Sequence, residues 1–156
     1  MSPEPLTIVK EGKECCGQLP QTCIITRIEC FQFDCELSDR MLPGHSDDCH
    51  CGLLTLSTNL GTWGLGEFQI PCGKLKGDFV QWAVVFQRIK GLTLADGLAY
   101  VHQKEVVWGE IRTHVISSAL IDLAAKLEHA SEGQKVESFL SDRTYLFDHS
   151  QAYISF

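Results

Sequence analysis

The sequence has no run of basic residues and no long apolar run, and each absence removes a class of function. Thirteen Lys+Arg stand against twenty Asp+Glu, for a formal net charge of −7, so no phosphate-binding face for nucleic acid is expected. Thr, Gln, Arg and Asp interrupt every apolar stretch before it reaches the roughly 20 residues of a membrane span, so no membrane role is expected either. The first ten residues lack both a basic lead and an apolar core. They do not read as a secretory signal, and the expected location is cytoplasmic. Internal repeats and low-complexity tracts are also missing.

What is present is enough for a core. The chain has 156 residues, 44% of them hydrophobic, which suits one globular domain. Its eight cysteines (Cys15, Cys16, Cys23, Cys30, Cys35, Cys49, Cys51 and Cys72) all lie in the first 72 residues. Without an exporting signal they read as thiols rather than a disulfide framework. Structural zinc sites usually use two spaced cysteine pairs, and the sequence does not carry two. A bipartite zinc site built from Cys15, Cys16, Cys49 and Cys51 stays open as the metal alternative.

Residues 1–20 hold three of the five prolines (Pro3, Pro5 and Pro20) and read as a flexible arm. From Cys23 to Leu37 apolar and polar residues alternate, which predicts a strand with one apolar face to at least Phe33. Residues 38–49 are rich in turn formers and form a loop long enough to carry function. Two β-prone runs flank Asn59-Leu-Gly, a hairpin signal. Gly64 and Gly66 inside the second run predict a bulge or the close approach of another backbone. Asp78 caps a helix through Trp82, Val85, Phe86 and Ile89 that stops at Gly91. Thr93 and Asp96 resemble a capping box for a helix carrying Leu94, Leu98 and Val101. A third helix spans about Glu110 to Glu128, with Ile111, Val115, Ala119, Ile121, Leu123, Ala124 and Leu127 on its apolar face. Residues 131–134 break it. A strand begins at Ala152 and finds no obvious partner. The expected class is α+β, a three-stranded antiparallel meander followed by about three helices.

These residues carry a resemblance. Thr58, Gly61, Gly64, Gly66 and Glu67 match the pattern Thr-x-x-Gly-x-x-Gly-x-Gly-Glu after an apolar strand. This is similar to the amino-terminal capping domain of the enolase superfamily, in its mandelate racemase and muconate lactonising branch. Ala119, Leu120, Asp122 and Lys126 resemble that family's helix leading into its barrel. Residues 135–143 resemble the segment that follows, with its glycines replaced. Residues 152–156 fall where the first barrel strand begins. The resemblance covers about residues 24–156 in order.

The resemblance implies a capping domain over 21–109, and a linking helix with the start of a truncated (β/α)8 barrel over 110–156. In that family the barrel's carboxyl face carries the chemistry: abstraction of a proton beside a carboxylate, with Mg²⁺ neutralising the enediolate. Mg²⁺ is therefore implied for a full-length relative and no cofactor for this chain, which is expected to be noncatalytic alone, with a barrel domain or a second copy as partner. The cap's loops cover the substrate, and the candidate capping residues are His45, Ser46, Phe68 and Ile70. Two alternatives stand beside this: an interaction domain that kept the cap fold, and a cysteine-rich thiol or zinc module. Glu67 reads as a structural hydrogen-bonding residue and His50 as a strand-edge residue. His102, His114 and His129 read as surface or satisfied core residues. His149 beside Asp148 and Ser150 resembles a catalytic set only on paper, because sequence neighbours rarely converge. Trp63, Trp82 and Trp108 read as core or interface anchors.

Overall fold

The computed structural model describes residues 23–34, 38, 49–75, 77–129 and 143–156. The expected meander is present as β1 (Ile25–Phe33), β2 (Cys49–Thr58) and β3 (Trp63–Pro71). Helices follow: α1 (Phe79–Ala83), running directly into a 3₁₀ segment (Val84–Ile89), then α2 (Leu94–Trp108), α3 (Glu110–Glu128) and α4 (Arg143–Asp148). A last strand, β4 (Ser150–Ser155), completes an antiparallel sheet in the order β3-β2-β1-β4. The class is α+β, as expected.

The strand that lacked a partner in the sequence has one. β4 pairs with β1 through Cys30↔Ile154, Phe31↔Tyr153 and Gln32↔Ala152, and Ile28 and Phe156 exchange backbone hydrogen bonds of 3.3 and 2.9 Å. β1 therefore lies inside the sheet, paired on both sides. Both of its faces are buried from Ile28 onward, because Ile28 and Cys30 pack into one apolar cluster and Phe31 and Phe33 into another, where alternation alone promised one apolar face.

The two glycines inside β3 do bring a backbone close. A Cβ on Gly64 would lie 2.8 Å from the Leu123 backbone nitrogen and collide with the Ala119 carbonyl; one on Gly66 would meet the Val115 carbonyl and lie 3.2 Å from the Ala119 nitrogen. Hydrogen at these positions lets α3 rest directly on the sheet, so Val115, Ile116, Ala119, Leu120 and Leu123 are buried. The helix occupies the expected span, but its inward face is rotated from the expected one: Ile116 and Leu120 point in, and Ile121 is 62% exposed. Similarly Leu98 of α2 is exposed, because Gly97 is the residue that meets Ile25 and Leu120.

Asp78 caps α1 by accepting a 2.8 Å hydrogen bond from the Gln81 amide, and Thr93 caps α2 by accepting one of 3.1 Å from the Asp96 amide. The single helix expected from Asp78 to Gly91 changes to 3₁₀ geometry at Val84. There the Trp82 carbonyl accepts a 2.7 Å hydrogen bond from Arg112 Nε, and a carbonyl engaged by a side chain is poorly placed for the ordinary i→i+4 ladder. Gly91 ends the segment at φ +91°, and its amide donates to the Ile25 carbonyl at 2.8 Å.

The sheet separates two apolar clusters. On the helix side, Phe68, Phe79, Trp82, Phe86 and Trp108 form a continuous aromatic run with ring centroids 5.1 to 5.8 Å apart. The opposite side is smaller, built from Phe31, Phe33, Cys51, Leu53 and Leu146. α3 and β4 share the helix-side cluster with the meander, since Ile154 and Phe156 pack against it. The expected arm over 1–20 and the helix break at 131–134 lie outside the described residues.

Candidate functional site

One end of the sheet gathers the polar side chains. It is formed by the close of β1 (Gln32, Phe33), the start of β2 (Cys49, His50), the close of β3 (Gln69, Ile70, Pro71) and the start of β4 (Ser150, Gln151), brought level by the pairs Cys49↔Pro71, His50↔Ile70 and Phe33↔Ser150. The connection from β1 to β2 leaves and re-enters the sheet here, and the chain after β3 turns away here through a short 3₁₀ turn, Cys72–Lys74.

Gln32 is 7% exposed and spans three strands. Its Nε2 lies 3.0 Å from His50 Nδ1 and donates to Gln151 Oε1 at 3.3 Å. An amide nitrogen only donates, so His50 Nδ1 is the accepting atom in this contact. Beside this trio, His149 Nδ1 lies 3.4 Å from Asp34 Oδ2, and the Asp34 amide donates to the His149 carbonyl at 2.8 Å. The paper triad is thus dissolved: the aspartate that His149 faces is Asp34, while Ser150 Oγ donates to the Leu146 carbonyl at 2.6 Å. A hydroxyl committed to a helix carbonyl makes no nucleophile paired with a base. This end thus presents a set of hydrogen-bonding side chains, Gln32, His50 and Gln151 beside Asp34 and His149.

Of the expected capping residues, His45 and Ser46 lie outside the described residues. Phe68 and Ile70 are buried at 3% and 0% exposure, on the α3 side of the sheet. The reason is register: Gly64 and Gly66 must face α3, strand alternation carries Phe68 and Ile70 to the same side, and Gln69 and Pro71 are left exposed. His50 is half-buried on the interior strand β2 rather than at a sheet edge. His102, His114 and His129 are exposed. Trp82 and Trp108 are core, and Trp63 lies under the Lys126 ammonium at 4.2 Å.

Cys15 and Cys16 lie outside the described residues, and among those described no group of three or more His, Cys, Asp or Glu side chains is placed to hold a metal ion. Burial raises the Cys51 thiol, partly opposed by a hydrogen bond with Ser38. Cys72 is exposed.

Sequence reasoning missed Glu29. Glu67, the carboxylate in the family-like motif, is exposed, whereas Glu29 is 3% exposed at the middle of β1. Glu29 Oε2 accepts from Tyr153 at 2.6 Å, Oε1 accepts from Thr55 at 3.4 Å, and Arg27 lies 3.9 Å away. The available signal was a glutamate flanked by Ile28 and Cys30 and facing Thr55 across the ladder. Its partners Tyr153 and Thr55 tie β1 to β4 and β2.

No protein-family model and no curated protein sequence matches the chain. Solved structures do. A member of the enolase superfamily from Salmonella Typhimurium aligns with 65% of this chain and 25% of its own, at 14% identity and a TM-score of 0.38. A candidate dehydratase from Zymomonas mobilis ZM4 aligns with 56% of this chain and 21% of its own, at 21% identity and a TM-score of 0.32. One from Salmonella aligns with 53% and 20%, at 27% identity and a TM-score of 0.30. The chain thus spans a quarter or less of each of these proteins. No helix among the described residues is long and apolar enough to cross a membrane.

Proposed function

We propose that these residues form the substrate-capping part of an enolase-type enzyme of the mandelate racemase branch, acting over a barrel that performs the proton abstraction. The observation that carries this reading is the placement of the loops. The β1–β2 connection and the chain leaving β3 emerge at the same end of the sheet, beside Gln32, His50 and Gln151. A lid built this way excludes water and contacts the distal part of a bound carboxylate, while the reacting carbon is handled elsewhere. The motif glycines support the same reading, because Gly64 and Gly66 let α3 rest directly on the sheet.

Mg²⁺ does not fit the described residues, which offer no cluster of carboxylates. In this reading the metal belongs to the barrel, and the chain's own contribution is binding and orientation. Val106 and Val107 at the end of α2, 90% and 76% exposed, and Ile121 on α3 offer apolar surface for such a partner to cover.

The test mixes the purified chain with a barrel-only polypeptide of that branch and Mg²⁺, and follows exchange of the α-proton of a panel of carboxylates in deuterated water. Exchange that needs both polypeptides supports the lid reading. Exchange by the chain alone contradicts it, and a stable complex without exchange replaces it by an interaction domain. Stoichiometric zinc in the reduced protein, measured by elemental analysis, points to the thiol or zinc module instead.

A further inference from the structure

We propose that the open half of the β3 edge, from Glu67 to Pro71, accepts an extended basic peptide as a fifth strand. This inference does not rest on the lid reading. It begins with the ladder. The Thr58 amide donates to the Thr62 carbonyl at 3.0 Å, which makes Leu56↔Gly64, Leu54↔Gly66, Gly52↔Phe68 and His50↔Ile70 the pairs that exchange hydrogen bonds. The backbone groups of Leu65, Glu67, Gln69 and Pro71 then point away from β2. Two observations agree. The Leu65 amide leaves the sheet to donate to Asp122 Oδ2 at 2.9 Å, and Pro71, which has no N–H, occupies a position where none is needed.

The two halves of this edge are treated differently. Over Trp63 and Leu65, α3 closes it: Asp122 takes the outward amide, and Lys126 holds Asp122 at 3.0 Å while lying over Trp63. Beyond Leu65 no described residue closes it. Among the described residues no acceptor meets the outward amides of Glu67 and Gln69. A groove of about 500 Å³ runs alongside them instead, walled by Glu110, Ile111 and His114 from the first turns of α3. An unpaired edge beside a groove is the geometry of strand addition, where main-chain bonds give affinity and flanking pockets read alternate side chains.

Charge selects the occupant. Glu67 and Glu110 are both exposed on the groove walls, and the chain carries a net charge of −7. A second copy pairing through the same edge would set Glu67 of each chain near like charge, whereas alternating Lys or Arg meets these carboxylates favourably. Ile111 and the rim of Phe68 give an apolar residue between the cations a surface to cover.

The probe is an acetylated and amidated hexapeptide alternating Lys and Val, titrated into the isotopically labelled full chain, with amide hydrogen exchange read residue by residue. The expected result is saturable slowing at Glu67 and Gln69, with a Glu/Val peptide about tenfold weaker or more. Methylating alternate peptide nitrogens removes the strand bonds and is expected to abolish the slowing. Gln69→Pro deletes one outward donor and leaves the bonds to β2, and is expected to weaken binding about fivefold to tenfold. Glu67→Lys, which leaves the backbone untouched, is expected to reverse the preference toward the Glu/Val peptide. Equal binding of the methylated peptide, slowing confined to other residues, or sedimentation showing that a second copy occupies this edge would overturn the proposal.

Discussion

The two ends of the sheet are built on different principles. At the hairpin end the main chain is tied down many times. Asn59 accepts from the Ile24 amide at 2.8 Å and donates back to its carbonyl at 3.1 Å, Ile25 bonds Leu92 and Gly91, and Thr58 closes the turn through both its amide and its hydroxyl. At the loop end main-chain bonds, such as that from the Asp34 amide to the His149 carbonyl at 2.8 Å, are joined by a side-chain network: Gln32 with His50 and Gln151, and His149 with Asp34. Backbone closure stabilises a fold and leaves little to vary. Side-chain contacts can be exchanged without disturbing the ladder. In the lid reading proposed above, the hairpin end is structural and the side-chain network of the loop end serves recognition.

The largest expected effect removes what both ends share. Gly66→Val drives a side chain into the α3 backbone and is expected to destabilise the chain by about 3 kcal/mol or more, seen as loss of the thermal unfolding transition at a temperature where the parent is folded. Next comes the tie from β4 to β1: Tyr153→Phe leaves the buried Glu29 carboxylate short of its 2.6 Å donor, at an expected cost of about 1.5–3 kcal/mol in urea unfolding. Asn59→Ala at the hairpin end is expected to cost about 1–2 kcal/mol, whereas His50→Ala at the loop end should stay within about 0.5 kcal/mol. Equal costs would erase the distinction between the ends.

A smaller effect depends on pH. Burial, with a lesser contribution from Glu29, pushes the Cys30 thiol far above its ordinary value of 9.0. The folded chain thus keeps this proton while the unfolded chain releases it. The contribution is fully present below pH 9 and falls as pH rises beyond it, by at most about 1.4 kcal/mol per pH unit. Cys30→Val is expected to flatten that part of the stability–pH curve. In the parent, exposed Cys72 should react with iodoacetamide in the folded state and Cys30 only on unfolding.

Much of this architecture was legible in the sequence because it rests on local rules. Asp78, Thr93 and Gly91 punctuate the helices by capping and backbone conformation, and Gly64 and Gly66 predicted a bulge or a close backbone, of which α3 supplies the second. What was not legible depends on distant pairing. The docking of β4 against β1 covers the face that carries Glu29, turning a glutamate that alternation placed outside into a buried one. The rotation of α3, with Ile121 outside and Ile116 inside, follows from where two glycines sit on another strand. The burial of Phe68 and Ile70 on the α3 side follows from the same two glycines.

The most direct test of the account uses the mixture of this chain with a barrel-only polypeptide and compares substitutions at the two ends. His50→Ala and Gln151→Ala are expected to lower the rate of α-proton exchange about tenfold or more by loosening substrate placement. Asn59→Ala, assayed where the chain remains folded, should leave that rate within about twofold. Equal losses at both ends, or an exchange rate indifferent to the loop end, would contradict the assignment of recognition to that end.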